Sequence, residues 1–257
     1  MFVCRGRSRA ARLRVRFTHP AAPAPMVEFS EQHVAALHRL TRALDGIMPL
    51  DALVLGGGTV LAARWQHRVS TDLDLFTEQR AFAAHIYRQA HSLWPRASEL
   101  FDVVDLGREH FGARWRGIDI TVSTAWCSAL LDVQERSDEA LAGVPLETNE
   151  AILVRKMQGR MYGLGMFTER DVYDLASAAQ HDPAALNAAL SALTEEERTY
   201  IGRELRMSKQ WDQPQKRLLS PAHPTVAGNL RVAAVEIVAR TLATGTGTAP
   251  DTEGSER

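Results

Sequence analysis

The chain is short of cysteine, aromatic residues and long apolar runs, and each shortage removes a class of function. Only two cysteines occur in 257 residues, Cys4 and Cys127. They lie far apart, with no Cys or His partner at ligand spacing, so neither a disulfide framework nor a zinc site is indicated. That pattern fits a reducing compartment, and the expected location is cytoplasmic. No apolar stretch approaches the ~20 residues of a bilayer span, so no membrane contact is expected. Aromatics make up 7% of the chain. The tryptophans Trp65, Trp94, Trp115, Trp126 and Trp211 form no stacking pattern and are expected in the core or at interfaces. Neither GxGxxG nor a Walker motif is present, and no internal repeat is visible. The remaining composition, 45% hydrophobic and 24% charged, is that of a globular chain with room for one large domain or two small ones.

Charge is unevenly spread. Residues 1–25 hold six arginines and no acid, so a formal charge of −1 for the whole chain becomes −7 without them. There is no apolar h-region of a secretory signal. A basic arm of this kind suits nucleic acid. The simpler reading, preferred here, is a disordered extension with the folded chain beginning near Met26. The Thr/Gly-rich tail 244–257 is expected to be disordered as well.

The most informative stretch runs from Leu53 to Phe76, LVLGGGTVLAARWQHRVSTDLDLF. A strand over 52–55 ends in Gly56, Gly57, Gly58 and Thr59, and the spacing then predicts a helix over 59–66. A short strand over 73–76 carries Asp72 and Asp74, whose i, i+2 spacing puts both carboxylates on one face of the pleat. Paired hard oxygen ligands suit Mg²⁺, and a glycine turn offers backbone N–H groups to phosphate. A hairpin is predicted over 110–116 and 118–123 about Gly117, with Ile118, Ile120 and Val122 alternating against Asp119. Asp119 is the natural third carboxylate, and three from neighbouring strands suit a two-metal site. Helices are also predicted over 30–47 and 78–93, with a strand over 101–106.

Beyond Thr148 only helices are expected, over 148–162, 171–180, 183–193, 194–207 and 226–242. Lys156 and Arg160 share one helix face at i, i+4. Thr168 and Asp171 have the spacing of a helix cap, so Asp171 reads either as a cap or as a site residue. Asp174 is expected to pair with Arg170 at i+4. His67, beside Arg68 in a turn, is expected to face solvent.

These blocks resemble the AbiEii/AbiGii toxins within the nucleotidyltransferase superfamily of DNA polymerase β type. The matching residues are Gly57, Gly58, Thr59, His67, Arg68, Ser70 and Asp72–Phe76, then Lys156, Arg160 and Arg170-Asp-Val-Tyr-Asp-Leu175. The resemblance spans about residues 30–200. It implies an α+β fold, a mixed nucleotidyltransferase sheet with flanking helices (26–147) followed by a helical domain (148–243). It also implies Mg²⁺-dependent transfer of a nucleoside monophosphate from an NTP to an acceptor hydroxyl. Asp72, Asp74 and Asp119 would bind metal. Gly57, Gly58, Thr59, Lys156 and Arg160 would hold the nucleotide, with Asp171 acting in catalysis. A cognate antitoxin and an RNA acceptor, in some members the tRNA 3′ end, come with the resemblance. Two rivals stand beside it. One is a small-molecule (antibiotic) nucleotidyltransferase with an acidic acceptor pocket. The other is a non-catalytic nucleotide-binding protein on the same fold, against which the retention of all three carboxylates counts.

Overall fold

The computed structural model describes residues 27–124, 133–136, 141, 143–207 and 220–245. Expectations for residues 1–25, for Cys4, Cys127, Trp126 and Trp211, and for the tail beyond Gly245 lie outside these residues.

Ser30 accepts a hydrogen bond from the His33 amide and starts α1 (Glu31–Leu44), satisfying one of the free amides of a first turn. A short strand, β1 (Val54–Gly56), leads directly into α2 (Gly57–Trp65). The helix thus begins two residues earlier than predicted. Gly57 has φ +76°, which a side-chain-bearing residue would adopt only under strain, and this lets the strand turn sharply into the helix. Next comes β2 (Asp72–Thr77). The helix predicted over 78–93 is instead divided: α3 (Gln79–Ala81) runs into a π-helical turn (Phe82–Tyr87), and α4 (Ala90–Leu100) follows.

Three strands come next, β3 (Val103–Leu106), β4 (His110–Trp115) and β5 (Ile118–Thr124). Arg116 and Gly117 both have positive φ, 49° and 82°, as a two-residue hairpin turn requires for its twist to match the strands. Two short strands, β6 (Val133–Arg136) and β7 (Pro145–Glu147), were not foreseen. The sheet order is β3-β4-β5-β2-β1-β7-β6. β2 runs parallel to β5, and β1 parallel to β7; the other neighbours are antiparallel.

From Asn149 every described element is helical. α5 (Asn149–Arg155) passes into a π-helical segment (Lys156–Gly163). It is followed by α6 (Glu169–His181), α7 (Pro183–Ser191), α8 (Glu195–Met207), α9 (Pro224–Gly228) and α10 (Leu230–Gly245). The helix predicted over 226–242 breaks at Asn229, and α10 continues through Thr244 and Gly245 into the expected tail. The fold class is α+β, a mixed sheet with flanking helices and then helices alone.

Alternation sets which face does what. Leu73 and Leu75 of β2, and Ile118, Ile120 and Val122 of β5, are buried in the same cluster as Leu37, Leu40 and Leu44 of α1 and Leu93 of α4. The opposite face of those strands carries Asp72, Asp74, Asp119 and Thr121, all half-buried. Burying five aliphatic side chains contributes roughly 1.5–3 kcal/mol each, so a one-residue slip that exposed them is strongly disfavoured. The carboxylate face follows from the apolar one. Of the tryptophans described, Trp65 is buried and Trp115 half-buried, but Trp94 is exposed on α4, away from any core.

Candidate active site

The glycine turn sits against charged side chains at each of its three glycines. In the β1–β2 register Gly56 lies opposite Asp74. A Cβ on Gly56 would collide with Glu147, one on Gly57 with the Asp74 carboxylate, and one on Gly58 with the Arg68 guanidinium. The run is therefore a packing requirement as well as a conformational one. Thr59 is buried, and its hydroxyl contacts Ser70 Oγ at 2.7 Å and donates to the Asp72 carbonyl. This hydroxyl ties α2 to the strand bearing the aspartates, so its predicted use as a phosphate donor competes with a structural bond already made.

Parallel pairing of β2 with β5 sets Asp72 beside Asp119, and Asp74 beside Thr121. The three predicted carboxylates share one face of adjacent strands, but each is engaged separately. Asp72 Oδ2 accepts a 2.8 Å bond from Arg170 Nη1. Asp74 Oδ1 accepts one of 2.9 Å from Thr121. Asp119 Oδ1 accepts one of 2.5 Å from Arg114 Nε. Among the described residues, no three His, Cys, Asp or Glu side chains are gathered as a metal-binding set.

Behind the glycines lies a buried charge network. Lys156 opens the π-helical segment, a distortion often found at functional positions, and its Nζ reaches Asp171 Oδ1 at 2.7 Å and Asp174 Oδ2 at 3.0 Å. Arg160 reaches the same Asp171 oxygen at 3.3 Å, so it and Lys156 do share a partner. Asp171 does take part in the helix cap, with Thr168 as the N-cap residue. Thr168 Oγ1 caps its amide and donates to its Oδ2, while Lys156 takes the other oxygen. Burial alone would raise the Asp171 carboxyl, but Lys156 and Arg160 outweigh it and hold it below its ordinary value.

Asp174 corrects the local reading. It does not pair with Arg170, which turns to Asp72; it binds Arg68 at 2.7 and 3.0 Å, His67 at 2.7 Å, and Lys156. Burial works against its ionisation, yet Arg68 and Lys156 hold it well below the usual carboxylate range. His67 is fully buried rather than exposed, and its ring stacks on Tyr173 at 5.6 Å between centroids. Solvent exposure fails for His67 because its carboxylate partner comes from α6, 107 residues away.

Sequence reasoning also missed Glu147 and Arg155. They pair behind Gly56, with Arg155 over the Phe76 ring at 3.5 Å from its centroid. The available signal was a fully apolar VPLE run ending in an acid, too short for a periodicity argument.

A strand, glycine turn and helix facing an aspartate pair on the next strand, with a third acid on the parallel neighbour, is the plan of a nucleotidyltransferase. Sequence comparison agrees: residues 49–226 match the family model of the AbiEii nucleotidyl transferase toxins of type IV toxin–antitoxin systems. The chain belongs to that family and is a nucleotidyltransferase toxin, with a nucleotide substrate and an antitoxin counterpart. No curated protein matches it significantly in sequence. Among solved structures, JHP933 from Helicobacter pylori is 14% identical, covering 84% of this chain and 93% of its own, with a TM-score of 0.42. The antibiotic-resistance factor ANT(2'')-Ia is 17% identical, covering 62% of this chain and 89% of its own, with a TM-score of 0.38. No helix among the described residues is long and apolar enough to cross a membrane.

Proposed function

We propose that this toxin transfers a nucleoside monophosphate from an NTP to a hydroxyl at the 3′ end of an RNA, with tRNA as the acceptor by analogy with family members, in the cytoplasm. The observation that carries the chemistry is the common face of Asp72, Asp74 and Asp119 beside the glycine turn.

The donor set fits a hard divalent cation. Asp72 and Asp74 are held at i, i+2 on a rigid strand, Asp119 lies in register with Asp72, and all are oxygen ligands of the kind Mg²⁺ takes. When bound there, Mg²⁺ would neutralise phosphate charge and ease ionisation of the attacking hydroxyl. The chain's own residues do the rest. Backbone amides at Gly57 and Gly58, with Thr59 fixing the turn, hold the β- and γ-phosphates. Lys156 and Arg160 supply positive charge towards the triphosphate, and Asp171 orients Lys156. The acceptor oxygen gives its proton to the Asp119 carboxylate and attacks the α-phosphorus. The bond to the β-phosphate oxygen breaks, and pyrophosphate leaves in line. Positioning and preorganised charge account for the rate, since no covalent intermediate is needed. The helical part, residues 148–243, closes over the nucleotide bound to residues 26–147.

An RNA acceptor needs a basic surface beside the aspartates. Two arginines stand on that face: Arg114 bonds Asp119, and Arg170 bonds Asp72. This favours RNA over a cationic antibiotic. The test is incubation with each α-³²P-labelled NTP, Mg²⁺, and either total RNA or an aminoglycoside panel. Label in RNA supports the reading, and label only in the small molecules replaces it.

A further inference from the structure

One oxygen of Asp72 is already taken by a cation. Its Oδ2 is held by Arg170 Nη1, and the side chains are only 27% and 12% exposed. Arg114 holds Asp119 in a similar way, but that pair is 57% and 47% exposed. Water screens the second pair and leaves the first nearly intact. Arg170 is therefore the group a divalent cation meets when it takes Asp72 Oδ2.

Its position gives its release from that oxygen a use. Arg170 is the second residue of α6, directly before Asp171, which holds Lys156. One helical turn thus presses a cation against a carboxylate and an anion against a phosphate-seeking lysine. A guanidinium released from Asp72 stays at the same edge of the site, and its planar fork of N–H donors matches phosphate oxygens.

We propose that Arg170 is an exchange counter-ion: it neutralises Asp72 while the site is empty and passes to the triphosphate when a divalent cation takes that carboxylate. The exchange rests on the reading of Asp72 as a metal ligand. Its consequence is that metal and nucleotide bind cooperatively. Metal alone at Oδ2 breaks the Arg170 pair without compensation, and nucleotide alone finds the guanidinium occupied. By linkage, each ligand raises the other's affinity by the same factor. Arg170 is a nucleotide-positioning residue that acts on the metal only through Asp72.

The test measures Mn²⁺ binding to the full chain by electron paramagnetic resonance. Titrations are run with and without an equimolar mixture of the four α,β-methylene nucleoside triphosphates, which cannot transfer. The wild type is expected to bind Mn²⁺ at least roughly fivefold more tightly with the analogues, the lower end of usual coupling factors. Arg170→Gln should bind Mn²⁺ more tightly than the wild type without nucleotide, and its coupling should fall below about twofold. Arg170→Lys, with charge but no fork, should fall between them; it carries the test if the glutamine variant does not fold. Asp72→Asn should lose Mn²⁺ binding in both conditions. If it binds like the wild type, the metal-ligand reading itself fails. If it loses binding while both Arg170 variants keep wild-type affinity and coupling, the exchange is overturned and the metal site stands.

Discussion

Lys156→Met separates a buried structural cation from a freely available one. The lysine is 4% exposed and touches two carboxylates, Asp171 and Asp174, at 2.7 and 3.0 Å. Methionine matches its length and adds no charge, so the variant leaves two buried anions with less compensation. Removing one partner of a buried pair costs about 3–5 kcal/mol. Asp171 retains Arg160 and Thr168, and Asp174 retains Arg68 and His67, which argues for the lower end, about 3 kcal/mol. For a chain of this size each kcal/mol moves Tm by roughly 2–4 °C, so calorimetry at pH 7 should show a fall of roughly 6–12 °C. The acid limb should move too. Both carboxyls are held below their ordinary values in the folded protein. Their contribution is therefore complete above the unfolded-state value near 4 and is lost as pH falls through the folded ones. Without Lys156 the folded values rise, and acid unfolding begins at higher pH. A Tm loss under ~2 °C with an unmoved acid limb would refute the reasoning. It would show that the arginines alone neutralise both acids.

Three further outcomes follow from the same geometry. Gly57→Ala places a Cβ at positive φ against Asp74; it should cost ~1–3 kcal/mol in urea unfolding and remove most transfer activity, whereas an active, stable variant would show that the turn can relax. Thr59→Val deletes the hydroxyl joining Ser70 to the Asp72 carbonyl and should cost ~1–3 kcal/mol while raising KM for NTP; an unchanged KM would separate Thr59 from the site. His181 is held below its ordinary value by burial and by the neighbouring His223 and His67. Stability should be complete above pH ~6.5 and decline below it; His181→Gln should lessen that decline, and an identical pH profile would exclude it as the source.

What could be read from the sequence was whatever depends on near neighbours. The Gly-Gly-Thr turn, the Asp72/Asp74 pair and the hairpin about Gly117 are all encoded within a few residues by pleat alternation and turn chemistry. Asp119 came from alternation too, though its register with Asp72 is a parallel pairing that no local pattern states. The misplaced side chains share one cause, a local rule overridden by distant burial. Arg170 and Asp174 have good helix spacing, but a shared solvent-exposed pair is worth only a few tenths of a kcal/mol. Each finds a more buried partner elsewhere, Arg170 on β2 and Asp174 at Arg68. His67 was misplaced for the same reason. The π-helical segment at Lys156 has no sequence signature, and its partner Asp171 comes from the following helix.

The most direct measurement of the central claim follows α-³²P from NTP into RNA for the wild type, Asp72→Asn and Asp74→Asn, with released pyrophosphate measured in parallel. The account requires label in RNA and equimolar pyrophosphate for the wild type, and neither for either variant, with both variants still folded. Transfer by the two variants at the wild-type rate would contradict it, as would label in RNA without pyrophosphate.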